Sequence, residues 1–231
     1  MALIITFADP AFMDFQHFTS TLFQRLRQPL PGRQAQLKMS SMRRIQELLN
    51  LGIPSHAHQS SVLLLLYPFQ AFIGIVLILR PAYGGVHGGQ ISFPGGKREE
   101  SDHSPVDTAL REASEEIGID SAEIRVIGQL TNLYIPPSNF LVTPVVACTA
   151  EKPHFIADPA EVERIIEVSL HDLLDEGNVE KYRFKTGIGI TLQAPCYHVS
   201  GIRIWGATAM MLSEFLEVVR PLIRSAEESH A

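Results

Sequence analysis

Apolar residues fall into two kinds of pattern along this chain, and each marks a kind of element. Residues 61–67 and 72–80 are nearly continuous apolar runs rich in Leu, Ile and Val. Continuous rather than alternating character predicts strands covered on both faces. Val62–Leu79 is 18 residues long without a formal charge. That imitates a membrane span, which needs about 20 apolar residues. Pro68, Gln70 and Gly74 interrupt it, so two buried strands joined by a turn explain it better. Shorter strand-like runs follow at Gln90–Phe93, Ile124–Leu130, Phe140–Ala147 and Ile165–Val168.

The second pattern repeats every 3.6 residues. Val106, Ala109, Leu110, Ala113 and Ile117 form one stripe that should pack on a sheet. Ser104 suits the N-cap of this helix, Pro105 its first position and Asp107 its third, while Gly118 suits the left-handed stop. Two earlier helices are predicted at Asp14–Arg27 and Ser41–Leu51, and an amphipathic one at Ala207–Ile223. The alternation of strands and helices predicts an α/β fold with a mixed sheet. A helical extension over residues 1–60 would pack on a main domain over 61–231 that ends in the 207–223 helix.

Charge narrows the partners. The chain has 25 acidic and 19 basic residues in 231, a net of −6. It has no general attraction for nucleic acid or an anionic membrane, so neither is expected as a partner. An anionic substrate would need local positive charge. Cys148 and Cys196 are too few for a disulfide framework and lack zinc-site spacing. Met1–Phe7 carries no basic leader pattern, and a cytoplasmic location is expected.

The capped helix carries Arg111-Glu112-Ala113-Ser114-Glu115-Glu116. Glu112 lies one turn from both Glu115 and Glu116, so the three share a face and repel one another. A hard divalent cation, Mg²⁺ or Mn²⁺, would relieve that repulsion; a solvated acidic face is the other reading. Phe93-Pro94-Gly95-Gly96-Lys97 leads in from a strand. That glycine turn brings backbone close, with the Gly96 carbonyl free to be a further oxygen ligand. Arg111 could orient a carboxylate through a bidentate pair.

Together these strings resemble the Nudix box, G-x5-E-x7-R-E-U-x-E-E-x-G-U, where U is a bulky aliphatic residue. Arg111 to Ile119 fits the distal half, with Ala113 a smaller U. Gly96 stands 15 residues before Arg111, one more than the pattern, and the box Glu falls on His103. Asp102 or Glu99 could take that acid's place. Phe93–Lys97, Asp102, Thr108–Glu112, Arg80 and Gly89 in register upstream, and Tyr134–Val146 downstream are similar to the coenzyme A pyrophosphatases of that family. Pro81 and Gly85 stand where that branch has Ser and Arg.

The resemblance implies a Nudix α/β/α sandwich that hydrolyses a diphosphate linked to a further moiety. It implies Mg²⁺ or Mn²⁺ on Glu112, Glu115 and Glu116, joined by the Gly96 carbonyl, with Arg111 in the catalytic set. Glu112 is the first choice for the water-activating base. The run Asp158–Glu163 offers Glu163, and less favourably Glu161, as a later acid or as an ordinary exposed loop. Arg80, His87 and Tyr134 are candidate substrate contacts, although Arg80 also suits a surface ion pair. The implied partner is a small diphosphate, coenzyme A or its thioesters, with ADP-ribose or another nucleoside diphosphate conjugate as the alternative. A non-catalytic nucleotide sensor is the reading from another class, and a homodimer is the family expectation.

Overall fold

The structure is a computed structural model and describes residues 15–50, 52–82, 89–185 and 191–228. The two continuous apolar runs form β1 (His58–Phe69) and β2 (Phe72–Leu79), an antiparallel hairpin closed where Phe69 faces Phe72. Gln70 turns the corner with φ 55°. Two short strands, β3 (Ile91–Ser92) and β4 (Gly95–Lys97), precede helix α4 (Pro105–Ile117). Next come β5 (Arg125–Gln129), β6 (Leu133–Ile135), β7 (Phe140–Cys148) and β8 (Arg164–Ser169). Strand β1 lies at the centre, parallel to β7 and antiparallel to β2 and β4. Strand β2 also pairs with β3 and β8, and β7 with β5 and β6, all antiparallel.

Because successive side chains of a strand point to opposite faces, the all-apolar β1 feeds two cores. Leu63, Leu65 and Tyr67 meet Ala109, Ala113 and Ile117 of α4. Val62, Leu64 and Leu66 join Phe18 and Leu22 of α1 (Phe15–Arg25) and Leu212 and Phe215 of α6 (Gly206–Glu228) on the other face. The result is the α/β/α sandwich with a mixed sheet that the sequence implied. A buried carboxylate ties the early helices to α6. Glu214 accepts from Gln36 Nε2 at 2.8 Å and from the backbone N–H groups of Gly32 and Thr131 at 3.2 Å. Gly32 and Gln36 belong to α2 (Gly32–Leu37), and the next helix is α3 (Met42–Asn50).

Helix α4 has the predicted bounds. Ser104 Oγ accepts from Asp107 N–H, and Gly118 stops the helix at φ 69°. The C-terminal helix runs five residues beyond the predicted 223, to Glu228, with Pro221 inside it. A short α5 (Leu170–Leu174) and a three-stranded antiparallel sheet, β9 (Val179–Lys185), β10 (Thr191–Val199) and β11 (Ile202–Ile204), follow β8. No strand was predicted there. Val179–Lys185 alternates polar and aromatic residues, and β10 contains Pro195, so neither has the apolar continuity of β1. Among the described residues, no helix is long and apolar enough to cross a membrane.

Candidate metal and substrate site

Strand β4 runs between its partner β1 and helix α4, and this close passage demands its two glycines. Gly95 has φ 148°, and a Cβ there would meet the Ser61 carbonyl and the Val62 Cα. At Gly96 an added Cβ would fall on the Glu112 carboxylate. Backbone without side chains therefore lies against the acids of α4. Gly95 N–H donates to Glu116 Oε2 at 2.7 Å. The Gly96 carbonyl, a candidate ligand, accepts from Ser60 Oγ at 2.6 Å; a carbonyl has a second lone pair.

Glu116 is fully buried. Its Oε1 lies 2.8 Å from Arg80 Nη2 yet has no well-directed hydrogen bond. Burial pushes its carboxyl up to about 7; Arg80 and the Gly95 N–H oppose this, while Glu112 and Glu161 add to it. Burial likewise raises the Glu112 carboxyl. Glu161 arrives from the loop before β8, which is stitched to the end of α4. Ile156 N–H donates to the Ile117 carbonyl at 2.9 Å, and Asp158 N–H to the Glu116 carbonyl at 3.0 Å. One oxygen each of Glu112, Glu116 and Glu161 then lie within 4.8 Å of one another. Three hard oxygen donors, two of them costly to ionise and one leaving a buried oxygen without a directed partner, fit a divalent cation such as Mg²⁺ or Mn²⁺.

The remaining predicted residues are placed differently. Glu115 is more than half exposed and pairs with Arg111 Nη1 at 2.9 Å; it stands outside the three-carboxylate group. Glu163 is exposed and donates its N–H to the Leu79 carbonyl at 2.9 Å, where β8 begins. Arg111 grips Asp102 through Nε and Nη2, at 3.1 and 3.0 Å, and its Nη2 also reaches Glu112 Oε1 at 3.1 Å. Asp102 also accepts from Thr108 Oγ1 and from Glu99 N–H. The Arg111 hydrogen bonds hold its carboxyl well below the usual carboxylate range. So Asp102, not His103 or Glu99, anchors Arg111 where the family pattern has its first acid.

Arg80 bridges the glycine turn and the acids: Nη2 donates to the Gly95 carbonyl at 2.6 Å and Nε to Ser92 Oγ at 3.2 Å. Tyr134 is buried and donates to Asn139 Oδ1 at 3.0 Å, and it is not part of the cavity wall described next. His87, with Gly84, Gly85 and Gly88, lies outside the described residues.

Glu112, Glu161 and Arg80 open onto a cavity of about 780 Å³. Its walls include Phe184 of β9 and Trp205, whose ring centroids are 4.5 Å apart, and the start of α3 with Ser40 and Arg44. Sequence reasoning missed these four. The lone Trp was the one available signal, because the rest depends on long-range packing.

Residues 57–186 match the NUDIX domain. The chain is 34% identical over 146 residues to an uncharacterized Nudix hydrolase NudL of Photorhabdus laumondii, across 63% of this chain and 77% of that one. It is 33% identical over 137 residues to a NudL of Yersinia enterocolitica, across 58% and 67%. Among solved structures it is similar to a Nudix hydrolase from M. Smegmatis, RenU, at a TM-score of 0.45 and 19% identity, over 73% of this chain and 87% of that one.

Proposed function

The chain belongs to the Nudix hydrolase family, and from that premise we propose that it hydrolyses coenzyme A or acyl-coenzyme A at the diphosphate, giving 3′,5′-ADP and (acyl-)4′-phosphopantetheine. The observation that carries the catalytic part is the convergence of Glu112, Glu116 and Glu161 on one point at the cavity wall. The choice of coenzyme A rests on the resemblance of Arg80, Gly89, Phe93–Lys97 and Tyr134–Val146 to that branch.

A diphosphate would be repelled by these carboxylates alone. Mg²⁺ or Mn²⁺ held by Glu112, Glu116 and Glu161 would neutralise the phosphoryl oxygens and lower the pKa of a bound water. The protein's own task is then positioning. Gly95 N–H and Arg80 fix Glu116, and Arg111, itself braced by Asp102, fixes Glu112. Glu161 is exposed and its place is set through the backbone of its loop. That leaves the carboxylate oxygen not given to the cation able to take the proton of the attacking water, and we assign Glu161 that role in preference to Glu112 and Glu163.

Incubation of the purified full chain with coenzyme A, ADP-ribose and NADH in separate Mg²⁺ reactions, with products resolved by chromatography, tests this reading. Coenzyme A should be turned over fastest. Faster cleavage of ADP-ribose would overturn the substrate, and no cleavage of any of them would favour a nucleotide sensor.

A further inference from the structure

The start of α3 presents polar groups to the cavity that hydrolysis at α4 does not use. Ser41 caps this helix: its Oγ accepts Arg44 N–H at 3.2 Å and its carbonyl accepts Ile45 N–H at 3.0 Å. The opening turn of a helix is its electropositive end, with amides that lack an intrahelical partner. Ser40, immediately before it, is 8% exposed, and its Oγ is buried without a hydrogen-bond partner among the described residues. The Arg44 Nε is buried and unpartnered in the same way, while Arg44 Nη2 donates to the Tyr134 carbonyl at 3.1 Å. Both residues line the cavity. Glu47 is hydrogen-bonded to the neighbouring Arg43 at 2.9 Å and acts on Arg44 only through its charge.

Buried donors left unpaired are uncommon in native proteins and call for an explanation. Here a hydroxyl and a guanidinium stand together at a helix start, on the wall of a cavity whose acidic cluster lies on α4 and the loop before β8. A tetrahedral oxyanion has acceptor lone pairs enough for all of them, and helix starts bind such anions. A neutral sugar hydroxyl offers too few acceptors for both donors.

We propose that Ser40, Arg44 and the first turn of α3 form a subsite for a second phosphate of the substrate, a phosphomonoester separate from the diphosphate that is cleaved. The inference rests on the diphosphate reading above and deepens it. It selects nucleotides carrying an additional phosphate, such as coenzyme A, over those without one, such as dephospho-coenzyme A and ADP-ribose.

Calorimetric titration of the full chain in EDTA with adenosine 3′,5′-bisphosphate and with AMP tests the subsite without any turnover. The bisphosphate should bind at least tenfold more tightly. Arg44→Gln should bring the two affinities within threefold, and Ser40→Ala should narrow the gap at least threefold. Thermal melts establish that each variant is folded; should Arg44→Gln not fold, Ser40→Ala and Arg44→Lys decide the matter. Equal affinities in the wild type, or a preference that survives these substitutions, would overturn the proposal. A parallel comparison of KM for coenzyme A and dephospho-coenzyme A separates the two readings. Bisphosphate preference without coenzyme A turnover refutes only the catalytic proposal. Turnover of both at equal KM, with no bisphosphate preference, refutes only the subsite.

Discussion

On α4, each charged group that shapes the acidic end of the cavity is held by a partner. Glu116 is fixed by Gly95 and Arg80, Glu112 by Arg111, and Arg111 by Asp102. At the start of α3, Ser40 Oγ and Arg44 Nε are buried donors with no hydrogen-bond partner among the described residues, although Arg44 Nη2 is held by the Tyr134 carbonyl. The first region is pre-assembled, its acids positioned by arginines and a backbone donor, while burial still raises the Glu112 and Glu116 carboxyls. The second is completed only by something that binds. Rigid placement suits chemistry, in which displacement of an acid is costly, whereas unpaired donors suit recognition, because their hydrogen bonds form only with the right ligand.

The sharpest way to break this contrast lies within α4 itself, between two adjacent glutamates. Glu116→Gln should lower the rate on the order of 10³-fold or more, since the charge stabilisation lost is several kcal/mol. Glu115→Gln, on the exposed side of the same turn, should cost less than tenfold. Equal losses in steady-state assays would abolish the distinction. Asp102→Asn comes next. It removes the charge that braces Arg111, and urea denaturation should show a loss of about 3 kcal/mol, typical of breaking a buried pair. Because the Asp102 carboxyl is held below its ordinary range in the fold, its contribution is complete above its unfolded value of about 3.9 and is lost as pH falls further. The stability gap between wild type and Asp102→Asn should therefore be constant near neutrality and close in acid.

Gly96→Ala probes the tight passage. The added Cβ must displace the Glu112 carboxylate, and a shift of that size lowers rates about 10²-fold. A variant with wild-type activity would show that Glu112 need not sit where it does. The smallest effect is expected on the aromatic wall. Trp205→Ala should raise KM about fivefold with kcat little changed, in keeping with about 1 kcal/mol for one aromatic stacking contact.

How much of this was legible in the sequence follows the same division. Helix α4 could be read to its ends because its cap, stripe and stop are local signals. Its acids could be read because their spacing is fixed by the helix. Periodicity placed Glu115 and Glu116 on one face, but adjacent residues are about 100° apart around a helix. Arg111, four residues before Glu115, captures the outer one. The run Asp158–Glu163 is where the sequence offers a further acid, and its Glu161 rather than Glu163 stands beside Glu112 and Glu116. Which acid reaches the cluster depends on the hydrogen bond from Asp158 N–H to Glu116, which no local pattern encodes. The substitution of Asp102 for the box acid rests on a loop one residue longer than the family pattern. The sheet β9–β11 and the α3 wall meet the cavity through contacts distant in sequence, and their alternating or mixed composition carries no sign of burial.

A manganese titration followed by electron paramagnetic resonance on the full chain tests directly whether Glu112, Glu116 and Glu161 act as one cation site. Wild type should take up Mn²⁺ saturably, with affinity reduced at least tenfold in Glu116→Gln and in Glu161→Gln and altered less than twofold in Glu115→Gln. No saturable uptake by the wild type, or a loss in Glu115→Gln as large as that in Glu116→Gln, would contradict a shared site.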